Sequence, residues 1–369
     1  MNINILKNEG LKAVINEKLR PLISSNYLYL DVPYHANLGD TLIWQGTLDF
    51  LKTLPYKCLY SSWYNSTKYK DVADKNPNSP IILHGGGNFG DVWIECHKFR
   101  KKVIEDLPNH KIIIFPQTIY YKEEKNLAAD AEFFSKYPNV TICARDRHSM
   151  KTLNDYFPNN PSLLVPDMAF YMDEHWLKPE TTEDRTLFLM RTDHELKEGE
   201  SLNIPEGADI SDWPTLNSFG GKLRYDLLRR FRLGLNCVDS LLGSNIEQRF
   251  TDFYWKNFLR PYNVKLVVDF LQSYKHIYTT RMHAGILGVI LGKSDINIYD
   301  NAYGKMSWFY ETWLSDVEGI RMLNLESKSS QNLLIIFSLL PSAIKLPTAA
   351  PILLYTMLTT SFNLPTINK

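Results

Sequence analysis

The sequence predicts an α/β chain built as two doubly wound parallel-sheet units facing one another across a cleft. Three observations predict it. From Asn26 onward, short apolar runs that close on Gly, Pro or Asp alternate with amphipathic stretches, the pattern of strands joined by crossover helices. The same alternation starts afresh after an acidic, proline-containing segment around Asp173 to Asp184. A length of 369 residues is long for one core and comfortable for two.

In chain order, the charged N-terminal stretch MNINILKNEGLKAVINEKLRPL predicts a helix, with no apolar run long enough for a signal peptide. The runs NYLYLDVP, YKCLYSS, PIILHGGG, KIIIFPQT, NVTICARD and SLLVPDM predict the strands of a first domain, residues 1–175, with DTLIWQGTLDFLKTL as one of its helices. TLFLMRTD opens a second domain, residues 185–326. It continues through a helical stretch from about Lys222 to Tyr274 and then through KHIYTTRMHAGILGVILG and INIYD. Strand C-termini of the two units can then line one cleft, an architecture that resembles two Rossmann-like domains of the GT-B type. Residues 327–369 form an apolar tail without an acidic residue, broken by Pro341, Lys345, Pro347 and Pro351. Its runs are too short to span a bilayer, and it is expected either to cap the core or to make peripheral contact with a membrane surface.

Lys plus Arg and Asp plus Glu stand at 41 each, so there is no net positive field and nucleic acid is excluded as a partner. Cys58, Cys96, Cys143 and Cys237 show no metal-ligand spacing. They read as thiols of a reducing compartment, and a cytoplasmic location is expected.

The stretch IILHGGGNFGD fits three patterns. An esterase oxyanion loop calls for a GxSxG elbow, and the sequence contains none. A dinucleotide loop calls for an acid closing the next strand, which here ends Phe115-Pro116-Gln117. What remains is a glycine turn leading to Asp91 and a helix beginning near Val92, where backbone amides can approach an anion. HANLGD, ending in Asp40, is a second Gly-Asp turn between a strand and a helix; a helix-cap role is the alternative for both aspartates. The strongest signal is Tyr278-Thr279-Thr280-Arg281-Met282-His283-Ala284-Gly285. A strand running straight into a helix places Arg281 and His283 at the helix N-terminus, where a fixed cation, an imidazole and free amides suit a phosphate. Arg191 closes the strand that opens the same domain.

Taken together and in order, HANLGD, LHGGGNFGD, FPQTIYY, ARDRHS, PDMAF, FLMRTD and TTRMHAGILG resemble the polysaccharide pyruvyl transferase family, from about Asn26 to Tyr310. The resemblance implies a GT-B-like enzyme that moves the enolpyruvyl unit of phosphoenolpyruvate onto a sugar as a ketal. The sugar belongs to a cell-surface polysaccharide or its lipid-linked oligosaccharide precursor, and the work is done in the cytoplasm at the inner face of the membrane. It implies that Arg281, His283 and Arg191 form the phosphoenolpyruvate site, with Met282 beside them; the chemistry needs a proton delivered to the methylene carbon, and His283 is the candidate acid. Asp40, Asp91 and Asp167 stand open as the base. Gly86, Gly87, Asn88 and Gln117, with Asp91, would face the acceptor. Some family members place a histidine just after the PQ(S/T)I segment, where this chain has Tyr120. Arg145, Asp146 and Arg147 either join that wall or form a salt-bridged strand end. No metal or cofactor is expected, because no ligand cluster is present and the arginines neutralise the donor. A nucleotide-sugar glycosyltransferase on the same fold and a non-catalytic sugar- or anion-binding module are the rival readings.

Overall fold

Two parallel sheets organise the computed structural model, which describes residues 3–64, 68–177, 182–191, 204–214, 219–242, 246–300 and 304–323. The N-terminal helix α1 (Ile3–Leu19) precedes β1 (Tyr27–Leu30), α2 (Leu38–Lys52), β2 (Cys58–Ser62), α3 (Tyr69–Asp74), β3 (Ile81–Leu83), β4 (Gly86–Gly90) and α4 (Ile94–Asp106). Then come β5 (Ile112–Tyr120), α5 (Glu124–Ser135), β6 (Val140–Ala144), α6 (Arg147–Tyr156) and β7 (Ser162–Leu164). The first sheet runs β2-β1-β3-β5-β6-β7, with β4 paired to β5. Residues of β1, β3 and β6 are buried throughout, as expected of parallel strands covered on both faces, and this is why they read as unbroken apolar runs.

The second sheet is built from β8 (Glu183–Leu189), β9 (Asp209–Ser211), α7 (Phe219–Leu242), α8 (Ile246–Tyr254), α9 (Arg260–Gln272), β10 (Tyr274–Thr279), α10 (Met282–Ile290), β11 (Ile296–Tyr299), α11 (Lys305–Trp313) and β12 (Ile320–Leu323). Its order is β12-β11-β10-β8-β9, all parallel. The fold is therefore α/β with two Rossmann-like sheets, as the alternation predicts. The helical stretch expected from Lys222 to Tyr274 is three helices, with a turn of π-helix at Trp255–Leu259 just before Pro261, so the residue without an N–H falls where the regular hydrogen-bond ladder is already interrupted. The apolar tail at 327–369 lies outside the described residues, as do residues 178–181 of the acidic linker. Among the described residues no helix is long and apolar enough to cross a membrane.

The two sheets share a core within one compact unit. Ile15 and Leu19 of α1, Leu42 and Trp44 of α2, Val264 and Val267 of α9, and Ile286 and Leu287 of α10 belong to one buried apolar cluster. Each such side chain contributes about 1.5 to 3 kcal/mol by leaving water, so the helices between the sheets fix how the strand ends face one another.

The structure corrects the reading of the glycine-rich stretch. Gly86–Gly90 is itself a strand and pairs with the second half of β5, Gly86 opposite Gln117 and Gly90 opposite Tyr120. Gly86 and Gly90 have φ of 132° and 119°, and a Cβ on Gly90 would lie 1.9 Å from the Tyr120 carbonyl oxygen. The glycines are there so that two backbones can cross closely. The helix begins later than expected, at Ile94, and Trp93 supplies no side-chain cap.

Candidate active site

A cavity of about 480 Å³ opens where the strand ends of the two sheets meet. His35, Asn37, Asp40, Gly87, Asn88 and Arg145 line it from the first half, and Arg191, Trp213, Arg281, Met282, His283 and Lys305 from the second. Its lining side chains include three arginines and a lysine against two carboxylates, Asp40 and Glu95, and guanidinium and ammonium donors of this kind suit a phosphate or carboxylate.

His283 is placed by the junction of β10 and α10. Thr279 ends the strand, and its Oγ1 accepts a hydrogen bond from the Arg281 amide at 2.8 Å. Arg281 is the N-cap residue, so His283 stands in the first turn of α10. The imidazole reaches the first half of the molecule on both ring nitrogens. A Cβ on Gly39 of α2 would lie 2.6 Å from Nδ1, and Nε2 lies 3.5 Å from Oδ2 of Asp167. That is an ion-pair distance; Nε2 is buried and makes no hydrogen bond.

Asp167 is fully buried. It accepts from Nη1 of Arg145 at 2.7 Å and from the Ala169 amide at 2.9 Å. Burial by itself would raise its pKa. The charges of His283 and Arg145, with the Ala169 amide, outweigh burial and hold the carboxyl well below the usual carboxylate range. Asp167 does not line the cavity; it stands behind His283 and Arg145 and fixes both.

The cations are held by partners the sequence reading did not name. Asp212, just after β9, accepts from Nε and Nη2 of Arg281 at 2.8 and 2.6 Å, a bidentate pair that sets the plane of the guanidinium. Arg145 also donates from Nε to Thr118 Oγ1 at 2.8 Å, and its backbone carbonyl accepts from Trp313 Nε1 at 2.7 Å, across the two halves. Arg145 is thus salt-bridged and cavity-lining at once. Asp146 caps α6 through the Ser149 amide, and Arg147 binds the backbone carbonyl of Glu311. Lys305, almost fully buried, brings Nζ to 3.4 Å from the Gly87 carbonyl. The Arg191 amide donates to Thr280 Oγ1 at 2.9 Å.

Of the remaining expected residues, Asp40 lines the cavity and accepts from Nδ2 of Asn37, the side chain that caps α2. Asn88 lines it with its Oδ1 held by Arg100 at 2.8 Å. Below it Asp31 has left-handed φ, 63°, and faces Arg100 at 3.3 Å. Burial pushes the Asp31 carboxyl up to about 7, with Arg100 opposing and Asp40 adding. Gln117 is buried and bridges the His84 carbonyl and the Asn88 amide, so it braces the glycine strand from behind. Burial also pushes His84 down to about 3, against the pull of Asp40.

Asp91 and Tyr120, like Gly86, Gln117 and Asp167, are not among the residues that line the cavity. Asp91 accepts from the Lys122 and Glu123 amides and from Asn126 Nδ2, so it secures the start of α5. Burial would raise it, but these donors bring it below the usual value. Tyr120 packs its ring against Trp308, centroids 6.3 Å apart. The reading missed Tyr64, Trp93, Glu95 and Lys305 in the cavity wall. The exposure of Trp93, an indole at 42% exposure, is a tertiary property with no local signal.

The sequence pattern of the family described as polysaccharide pyruvyl transferase matches residues 37–299. The chain is 32% identical over 326 residues to EpsO of Bacillus subtilis, a protein named as a pyruvyl transferase, covering 87% of this chain and 94% of that one. It is 29% identical over 294 residues to pyruvyl transferase 1 of Schizosaccharomyces pombe, covering 76% and 68%. An uncharacterised protein of Klebsiella pneumoniae shares the fold, with a TM-score of 0.56 at 21% identity over 85% of this chain and 98% of that one. The chain belongs to the polysaccharide pyruvyl transferase family and is an enzyme of pyruvyl transfer.

Proposed function

We propose that the enzyme takes phosphoenolpyruvate as donor and transfers its pyruvyl unit as a ketal onto a sugar of a cell-surface polysaccharide or its lipid-linked precursor, at the cytoplasmic face of the membrane. The observation that carries the proposal is the convergence of Arg145, Arg191, Arg281, Lys305 and His283 on one cavity, with Asp167 behind His283. Phosphoenolpyruvate carries a phosphate and a carboxylate, each matched to a guanidinium fork. In domain terms, residues 185–326 would hold the donor, helped by Arg145, and residues 1–175 the acceptor.

His283 gives a proton to the methylene carbon of the donor, which becomes a methyl group and leaves an oxocarbenium at the adjacent carbon. One sugar hydroxyl adds there and loses its proton. The carbon–oxygen bond to phosphate then breaks, and a second hydroxyl closes the ketal as inorganic phosphate leaves. Asp40 is the base for these hydroxyl protons, since the oxygens of Asp91 and Asp167 are taken up by amides and by Arg145. Tyr64, Trp93 and Glu95 on the same wall offer ring faces and a carboxylate suited to a sugar.

Incubation with phosphoenolpyruvate, and separately with a panel of nucleotide sugars, tests the proposal. Acceptor-dependent phosphate release from phosphoenolpyruvate, undiminished by a chelator, is the expected result. Nucleotide release with phosphoenolpyruvate inert would mean that the same cations hold a diphosphate and that the proposal is wrong.

A further inference from the structure

We infer that the helical hairpin of the second half, α7 with α8 and the π-turn after it, is a docking face for an anionic lipid bilayer. Leu223, Leu227 and Phe231 stand four residues apart on α7, which aligns them on one stripe, and all three are exposed. The stripe continues across the hairpin as a chain of ring contacts. Phe231 meets Phe250 at 5.4 Å between centroids, Phe250 meets Tyr254 at 5.8 Å, Tyr254 meets Phe258 at 5.3 Å, and Phe258 meets Phe253 at 5.8 Å. Phe231, Phe253 and Phe258 remain 53%, 55% and 50% exposed. A continuous apolar surface of this kind marks an interaction site rather than scattered surface residues.

The opposite face of α7 is fixed to the protein. Leu228 is buried, Arg232 pairs with Glu247, and Tyr225 packs edge-on against Trp255, 5.7 Å between centroids. The exposed stripe is therefore not the side that α7 turns toward its own core.

Charge selects the occupant. Among the described side chains of the hairpin the exposed charges are Lys222, Arg229, Arg230 and Arg249 against Asp226. Aromatic rings flanked by cations are the pattern that partitions into the headgroup layer of an anionic membrane, where arginine stems lie along acyl chains and the heads reach phosphate. A two-fold contact with a second copy would instead bring the same arginines toward one another. Beside the hairpin is a cavity of about 540 Å³ lined by Leu228, Arg229, Leu233, Trp255 and His35. His35 also lines the active-site cavity, so a lipid-borne acceptor arriving at this face would come in next to the chemistry. Membrane binding itself needs neither donor nor acceptor, so its failure leaves the proposed reaction standing, and the reverse.

The test is flotation of the full chain with vesicles of phosphatidylcholine alone and with an equal share of phosphatidylglycerol, paired with hydrogen exchange on the bound protein. The expected result is binding to the phosphatidylglycerol vesicles only, weakening as salt rises, with exchange slowed in α7 and α8. The combined variant Phe231→Ser, Phe253→Ser, Phe258→Ser should lower binding by roughly tenfold or more, and Arg230→Gln with Arg249→Gln should do the same, while turnover on a soluble acceptor is unchanged. Equal binding to both vesicle types that the variants do not alter overturns the inference. So does protection confined to residues 327–369, which would make the tail the anchor. A dimer in vesicle-free solution that the aromatic variant turns into a monomer overturns it too, since the face would then be an interface between copies.

Discussion

Gly39 and His283 meet across the cleft with no room for a side chain: a methyl group on Gly39 would stand 2.6 Å from Nδ1 of the imidazole. The glycine of HANLGD is thus explained by a residue 244 positions later in the chain. Gly39→Ala must move the ring, and a displacement of about an ångström can cost roughly 10²-fold in rate. Steady-state kinetics should show a kcat loss of about that size with the KM for phosphoenolpyruvate little changed and the melting temperature close to wild type. A kcat within about twofold of wild type would mean the ring position is not critical.

Asp167 gives a prediction in pH. Its carboxyl is held below the unfolded value of about 3.9. A depressed carboxylate contributes stability that is fully present above that value and is lost as pH falls through the folded pKa. Asp167→Asn leaves Arg145 buried beside a neutral group, so chemical denaturation at neutral pH should show a loss of about 3 to 5 kcal/mol. Below about pH 4 the gap between variant and wild type should shrink; a gap that stays constant with pH contradicts the assignment.

Arg281 uses two of its donors on Asp212, so orientation matters as well as charge. Arg281→Lys keeps the charge but cannot bridge Asp212 and a substrate oxygen with the same fork. The loss of one charge-assisted contact, about 1.5 to 3 kcal/mol, should raise the KM for phosphoenolpyruvate by roughly 10- to 100-fold while kcat falls less. An unchanged KM would remove Arg281 from the donor site.

Asp40 and Asp91 look alike in the sequence but should behave differently. Asp91→Ala removes a helix-start anchor and should cost about 0.5 to 2 kcal/mol of stability, read in a thermal melt, with kcat near wild type at a temperature where the variant is folded. Asp40→Asn should leave the melt nearly unchanged and lower kcat by roughly 10² to 10⁴. Exchange of these two outcomes would make Asp91 the base.

The fold was legible wherever a strand is buried on both faces, since IIL, IIIF and VTICA can be little else. Three strands were missed for physical reasons. Gly86–Gly90 contains no β-branched residue, Asp209–Ser211 is three residues long, and Ile320–Leu323 is four residues with an exposed Arg321 among them. Arg281 and His283 could be found because a strand-to-helix junction is local. Asp212 could not, since it lies 69 positions from Arg281 in an irregular segment. Asp91 and Asp40 both follow a glycine, but Gly39 and Asp40 lie inside the first turn of α2 rather than in a turn before it, while Asp91 precedes α4, and only the fold sends backbone amides to one and the cavity to the other.

The most direct measurement is the reaction run in deuterium oxide with phosphoenolpyruvate and acceptor, reading the methyl group of the pyruvate ketal by NMR alongside phosphate release. Protonation of the donor methylene by an exchangeable acid predicts one deuterium in every ketal methyl. His283→Gln should slow its formation by roughly 10² to 10⁴. Phosphate released without a deuterated ketal methyl, or His283→Gln matching wild type in kcat, would contradict the account.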